Sequence, residues 1–275
     1  MLGGFLTLFV SLSMRGQLSR VPGLALYPDF LSEAEGVIAA TAARRLSRSA
    51  AAAAKGMVGS TSRNHNVNQR EEYVRVTLQD DDDAASSLPA EHFSSYGEGH
   101  NLTYFRGHLP RFGLDLPSRL AALPEVREDA ALASARAARD VAGSPLKWRV
   151  TLNRYAARRG GGAASRAGFP WHVDLHANGA VSCILGLGDA GGELEFAEGR
   201  GGENGLEYDD GEPRTADHGA GVGEDARAVV ARVQVPPGGL LVLAGPARWD
   251  FLHRVVRAEG ADAERERLSL VYGAW

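Results

Sequence analysis

The sequence predicts an α+β fold that is mainly β, with its helices confined to the N-terminal half, and three observations lead there. From Leu146 onward the chain breaks into short β-rich runs: Trp148–Tyr155, Ala180–Leu187, Glu193–Phe196, Val229–Val235, Leu240–Ala244, Leu252–Val256 and Leu268–Tyr272. Gly and Pro clusters separate these runs, the texture of an all-β sandwich or barrel. Upstream the texture is helical, as in Leu116–Ala142, where Leu120, Leu123 and Leu132 stand among many alanines. The 275 residues, 44% hydrophobic and 23% charged, can bury a sizeable core of ordinary globular composition.

Residues 1–20 read as a separate tail. Their apolar stretch, Leu2 to Leu12, is too short to span a bilayer, and no acidic residue precedes Asp29. Arg15 and Arg20 follow the apolar stretch, the reverse of a secretory signal, which leaves a mitochondrial or plastid targeting peptide or a disordered tail. The chain is therefore expected to be intracellular or organellar. Residues 21–145 are expected to pack helices and strands on a core formed by 146–275. Val21–Phe30 reads as a strand and turn, and Ser32-Glu-Ala-Glu35 has capping-box spacing at the start of a helix expected to reach about Arg45. Ser47–Ser62, rich in Ala, Ser and Gly, reads as a flexible loop. Tyr73–Leu78 alternates like a strand, and Asp80–Asp83 reads as a solvated loop rather than a metal site. Leu116–Ala142 reads as one or two helices broken at Pro124.

Charge and cysteine content exclude several functions. A net charge of −4 and a pI of about 6.1 give no global field toward nucleic acid or an anionic membrane. A local basic group, Lys147, Arg149, Arg154, Arg158, Arg159 and Arg166, either meets phosphates or balances a long Gly-rich acidic loop at about 198–225. Cys183 is the only cysteine, so an internal disulfide and a cysteine-rich zinc site are excluded, and its apolar surroundings make it a small buried hydrophobe. Asn101-Leu-Thr103 matches a glycosylation acceptor, a tripeptide expected by chance.

The first chemically informative cluster is Phe169-Pro-Trp-His-Val-Asp-Leu-His176. In an extended strand His172 and Asp174 point the same way and can grip one ion together. Two histidines and a carboxylate on one face of iron leave the other positions open for oxygen and a cosubstrate. His176 competes as a ligand and is placed instead in a supporting or exposed role, and His218 is expected in solvent. Farther on, Arg267 offers a planar fork of donors suited to a carboxylate, with Ser269 on the same strand face. The bland alternative for Arg267 is a surface ion pair with Glu264 or Glu266.

Four pieces in order resemble the AlkB-like branch of the iron(II)/2-oxoglutarate-dependent dioxygenases. They are Gly23–Leu31, Leu152-Asn-Arg-Tyr-Ala156, the apolar strand and Gly-x-Ala-Arg turn from Pro237 through Phe251 to His253, and Arg267-Leu-Ser269. The resemblance implies a double-stranded β-helix, or jelly roll. It implies iron(II) on His172, Asp174 and His253, with 2-oxoglutarate contacted by Asn153, Tyr155, Arg267 and Ser269, and dioxygen as the second cosubstrate. The implied activity is hydroxylation or demethylation of an alkylated nucleic acid or protein, 2-oxoglutarate being decarboxylated to succinate. Two departures bear on the substrate. Many AlkB demethylases carry a second arginine six residues after the first, where this chain has Gly273, and Gly191-Gly-Glu-Leu-Glu-Phe196 is similar to the prolyl-hydroxylase-like branch. A hydroxylase of a protein or small metabolite is the alternative. A catalytically silent jelly-roll binding module is the third reading.

Overall fold

The computed structural model describes residues 18–56, 62–63, 72–80, 83–93, 100–105, 109–138, 146–155, 168–174, 178–199, 228–256 and 265–275. Residues 1–17, residues 200–227 with nearly all of the acidic loop expected at about 198–225, His176, His218, Glu264, Arg158, Arg159 and Arg166 lie outside them.

The N-terminal half contains β1 (Leu24–Tyr27), α1 (Glu33–Gly56), β2 (Ser62–Arg63), β3 (Glu72–Asp80), β4 (Asp83–Phe93) and β5 (His100–Phe105). Three short helices follow: α2 (Leu116–Ala121), α3 (Pro124–Arg127) and α4 (Ala130–Ala138). The second half is β6 (Trp148–Tyr155), β7 (Phe169–His172), β8 (Val181–Gly188), β9 (Gly192–Glu198), β10 (Val229–Val235), β11 (Leu240–Leu243), the one-turn α5 (Pro246–Trp249), β12 (Phe251–Val255) and β13 (Arg267–Ala274).

These strands form two antiparallel sheets, ordered β1-β11-β8-β13-β6-β5-β4-β3-β2 and β10-β9-β12-β7. From β6 onward the chain winds between them. β6, β8, β11 and β13 join the larger sheet, while β7, β9, β10 and β12 make the smaller one. That winding is a jelly roll. The N-terminal strands are continuous with it, since β1 pairs with β11 and β5 pairs with β6. All seven β-rich runs read from the sequence beyond Leu146 are strands.

The jelly-roll strands of the larger sheet, β11, β8, β13 and β6, are covered on both faces. On one side α1 lays down Ala39, Ala40, Ala43, Leu46, Ser47 and Ala50, spaced at three and four residues. They meet Val150, Leu152, Leu185, Leu187, Leu268 and Leu270 from the sheet. On the other side Ile184, Leu241 and Val271 face Leu194, Phe196, Ala231 and Val233 of the smaller sheet. Burying each large aliphatic chain contributes about 1.5–3 kcal/mol, so these two layers hold the sheets in register.

Several elements differ from the sequence reading. The Ser32–Glu35 capping box is formed, Ser32 N–H donating to Glu35 Oε2 at 2.9 Å. The helix it opens runs past Arg45 to Gly56 and so replaces the first part of the expected loop. Alanine is the best helix former, and buried Ser47 and Ala50 tie that stretch to the sheet. Strands β4 and β5 have no counterpart among the elements expected from the sequence. The helical region is three short helices, and the break at Pro124 holds because Leu123 is extended, as a residue before proline prefers. Asp80 closes β3 and Asp83 opens β4, and the two pair across the antiparallel strands. Cys183 is fully buried.

Candidate metal centre

Side-chain alternation on β6 and β13 positions half of the site. Leu152, Leu268 and Leu270 point toward α1, so Asn153, Tyr155, Arg267 and Ser269 point the other way, between the sheets. Cross-strand pairing sets Arg267 beside Tyr155 and Ser269 beside Asn153. The guanidinium of Arg267 lies 4.9 Å from the centre of the Tyr155 ring, and Tyr155 and Ser269 share a hydrogen bond. Arg267 is 5% exposed, and its Nη1 donates to the Val256 carbonyl at 3.0 Å. Glu266, the neighbour considered as an ion-pair partner, is buried on the α1 side of the sheet and binds Arg154 at 2.7 Å and Arg44. The four residues read as a cosubstrate pocket thus stand on one patch of the barrel interior.

The other half comes from the smaller sheet. His253 of β12 lies opposite His172 of β7, with ring centroids 4.2 Å apart. Asp174 falls two residues beyond the end of β7 rather than within a strand. Its carboxylate still turns to the same point, held by the Ser182 hydroxyl donating to Oδ2 at 2.8 Å. One donor atom from each of His172, Asp174 and His253 lies within 4.8 Å of the others, and among the described residues this is the one such cluster. The 3.8 Å between His172 Nε2 and Asp174 Oδ1 suits two donors each about 2.1 Å from a shared ion.

Electrostatics put all three groups in their ligand forms. Burial opposes charge on Asp174, but Arg248 and the two histidines outweigh it and bring its carboxyl down to about 2. Burial and the neighbouring His172 bring His253 down to about 3, and burial also lowers His172. The histidines are therefore neutral and the aspartate ionised at neutral pH, the state a metal requires. His172 Nδ1 donates to the Pro170 carbonyl at 2.7 Å, which fixes the tautomer with Nε2 as the available donor. Among the described residues His253 Nδ1 is buried with no hydrogen-bond partner. Such a donor set fits iron(II).

Two residues of the site are not singled out by the sequence. Arg248, 1% exposed, donates from Nη1 to the Asp174 carbonyl at 2.8 Å. Its signal is the Gly-x-Ala-Arg turn itself, which in the sequence reads only as a lead into His253. His100 on β5 is fully buried, stacks on Tyr155 at 4.5 Å and meets Asn153 Oδ1 through Nε2 at 3.1 Å. No local signal marks it. The basic group beside the site is partly committed elsewhere, Arg154 to Glu266 and Arg149 to the face of Trp275 at 4.9 Å.

No family model matches this chain, and no curated protein matches it. Among solved structures it is similar to a Pseudomonas putida prolyl-4-hydroxylase, at 15% identity, covering 96% of this chain and 97% of that one, TM-score 0.42. It is also similar to the full-length Neurospora crassa T7H in complex with alpha-KG, at 12% identity, 94% and 78% coverage, TM-score 0.41. A third is a 2OG-Fe(II) oxygenase family protein from Caulobacter crescentus, at 14% identity, 97% and 84% coverage, TM-score 0.42.

Proposed function

We propose that the chain is an iron(II)- and 2-oxoglutarate-dependent dioxygenase. The observation that carries this reading is the convergence of His172, Asp174 and His253 inside a jelly roll, on the same interior as buried Arg267. His172 and His253 offer neutral nitrogen donors, and Asp174 offers a carboxylate kept ionised by Arg248. Arg267 supplies a charged fork for the far carboxylate of 2-oxoglutarate, with the Ser269 and Tyr155 hydroxyls beside it. Asn153, engaged by His100 through its carbonyl oxygen, stands beside Ser269 on the same face of the sheet. Bound iron and 2-oxoglutarate together supply dioxygen activation, coupled to oxidation of a substrate C–H bond. Phe196, 6.0 Å from the His253 ring, puts an apolar side chain against the metal-binding histidine.

Two target classes share this chemistry. One is an alkylated nucleic acid or protein that loses an N-methyl group as formaldehyde, and the other is a protein or small metabolite that is hydroxylated. Specific observations favour the second. A Cβ at Gly273 would sit 1.5 Å from the Asn178 carbonyl oxygen, so no arginine fits where many AlkB demethylases carry their second one. Arg154 is spent on Glu266 rather than offered to phosphate. The test is succinate formation with iron and 2-oxoglutarate across a panel of peptides, small amines and methylated oligonucleotides, with formaldehyde measured in parallel. Succinate with peptide or metabolite but without formaldehyde supports hydroxylation. Formaldehyde from methylated oligonucleotides would reverse the preference.

A further inference from the structure

Asp174 needs an anchor that its strand does not supply. The pairing of β7 with β12 fixes His172 against His253, but β7 ends at His172 and Asp174 lies two residues further on. A carboxylate ligand on a backbone free to drift would lose the geometry that the two histidines define, since positioning within about 0.5 Å matters at such sites.

The chain places a buried cation at this backbone. After β11, Gly245 adopts φ 50° and opens the one-turn helix α5, which brings Arg248 inward five residues before His253. Arg248 is 1% exposed and, among the described residues, the bulkiest fully buried side chain. Its guanidinium stacks 4.1 Å from the centre of the Trp249 ring and donates to the Asp174 carbonyl at 2.8 Å. Burying a charged group costs several kcal/mol unless partners hold it, so its placement here is a specific feature of the fold. At the other end of the same residue, Ser182 holds Oδ2 and leaves Oδ1 toward His172.

We propose that Arg248 is a positioning residue for the metal centre. It clasps the Asp174 backbone to the segment that carries His253, so that the ligands from the two strands keep one geometry. Together with Ser182 it fixes both ends of Asp174 and thereby the direction of Oδ1. This inference rests on the metal reading above and adds to it a residue that touches neither iron nor cosubstrate.

The test is titration of the metal-free, full-length protein with cobalt(II), followed by the visible absorption of the bound ion. Wild type, Arg248→Met, Arg248→Lys and His172→Ala are compared, and thermal melts of each metal-free variant are recorded alongside. Loss of an outer partner of a ligand typically weakens metal binding about 10- to 100-fold. Arg248→Met is expected to lose affinity in that range and to show altered cobalt band intensities, and Arg248→Lys is expected to recover part of both. If the methionine variant does not fold, a weakened affinity and altered spectrum in the lysine variant support the proposal in its place. Variants that melt lower yet bind cobalt with wild-type affinity and spectrum would show a purely structural arginine and overturn the proposal. Wild type and His172→Ala binding cobalt alike would instead overturn the metal reading itself.

Discussion

Replacing Arg267 with leucine separates the cosubstrate pocket from the metal centre. Leucine keeps most of the buried apolar stem and removes the charged fork. Two charge-assisted hydrogen bonds to a carboxylate, at about 1.5–3 kcal/mol each, amount to roughly 3–6 kcal/mol. At a factor of ten per 1.4 kcal/mol, that is about a hundred- to ten-thousand-fold in 2-oxoglutarate affinity. The larger figure applies if the carboxylate stays buried without a partner, and the smaller if water reaches it. The substitution also strips the Val256 carbonyl of a donor. That loss is worth about 1 kcal/mol, or a fall of roughly 2–4 °C in melting temperature. The assay is calorimetric titration of 2-oxoglutarate into the manganese-loaded protein without oxygen, with manganese affinity measured separately. Weakening of at least about a hundredfold with manganese affinity nearly unchanged is expected. An unchanged 2-oxoglutarate affinity would refute the role given to Arg267.

Packing, protonation and charge each yield a further expectation. Gly273→Ala drives a Cβ to 1.5 Å from a backbone oxygen, a contact that no rotamer change relieves, so a loss of about 3 kcal/mol or more is expected in urea unfolding, where a shift within error would contradict the packing. In the metal-free protein His253 titrates near 3 when folded, because of burial first and His172 second, and near 6.5 when unfolded. The unfolded chain therefore binds the extra proton between those values. Stability should be fullest above about pH 6.5 and fall by several kcal/mol toward pH 3, with Asp174 adding loss only below about 3.9. Melts of the metal-free protein that stay flat from pH 7 to 5 would contradict this. If nucleic acid were the target, oligonucleotide binding would weaken steeply with salt and with Arg158→Ala and Arg159→Ala. The hydroxylase reading predicts binding that is absent or insensitive to salt.

The β core is legible in the sequence because its strands are short, β-rich and punctuated by Gly and Pro; Arg267 and Ser269 pair by their two-residue spacing, whereas Asn153, Tyr155 and the jelly-roll winding are indicated by the family resemblance. Residues Ser47–Gly56 are less legible, since Ser, Ala and Gly suit a loop equally until a sheet is present to bury Ser47 and Ala50. Strands β4 and β5 escape notice because Asp83, Ser86, Ser87 and Pro89 dilute any alternation, and pairing across β3, β4, β5 and β6 supplies what the local sequence lacks. At the site, His172 and Asp174 can be named as a pair from their spacing. Arg248 and His100 cannot be given roles in this way, because a bond from Arg248 to Asp174 spans 74 residues and one from His100 to Asn153 spans 53. Gly273 is visible as a departure, and its cause, the close approach of Asn178, exists only in three dimensions.

The proposed chemistry depends on one iron(II) ion held by His172, Asp174 and His253. Its most direct test is calorimetric titration of iron(II) into the metal-free protein under nitrogen, with His172→Ala, Asp174→Ala and His253→Ala beside the wild type. One ion per wild-type chain is expected, with loss of that site in each variant and melting profiles showing the variants folded. Wild-type stoichiometry and affinity retained in any one of the folded variants would contradict it.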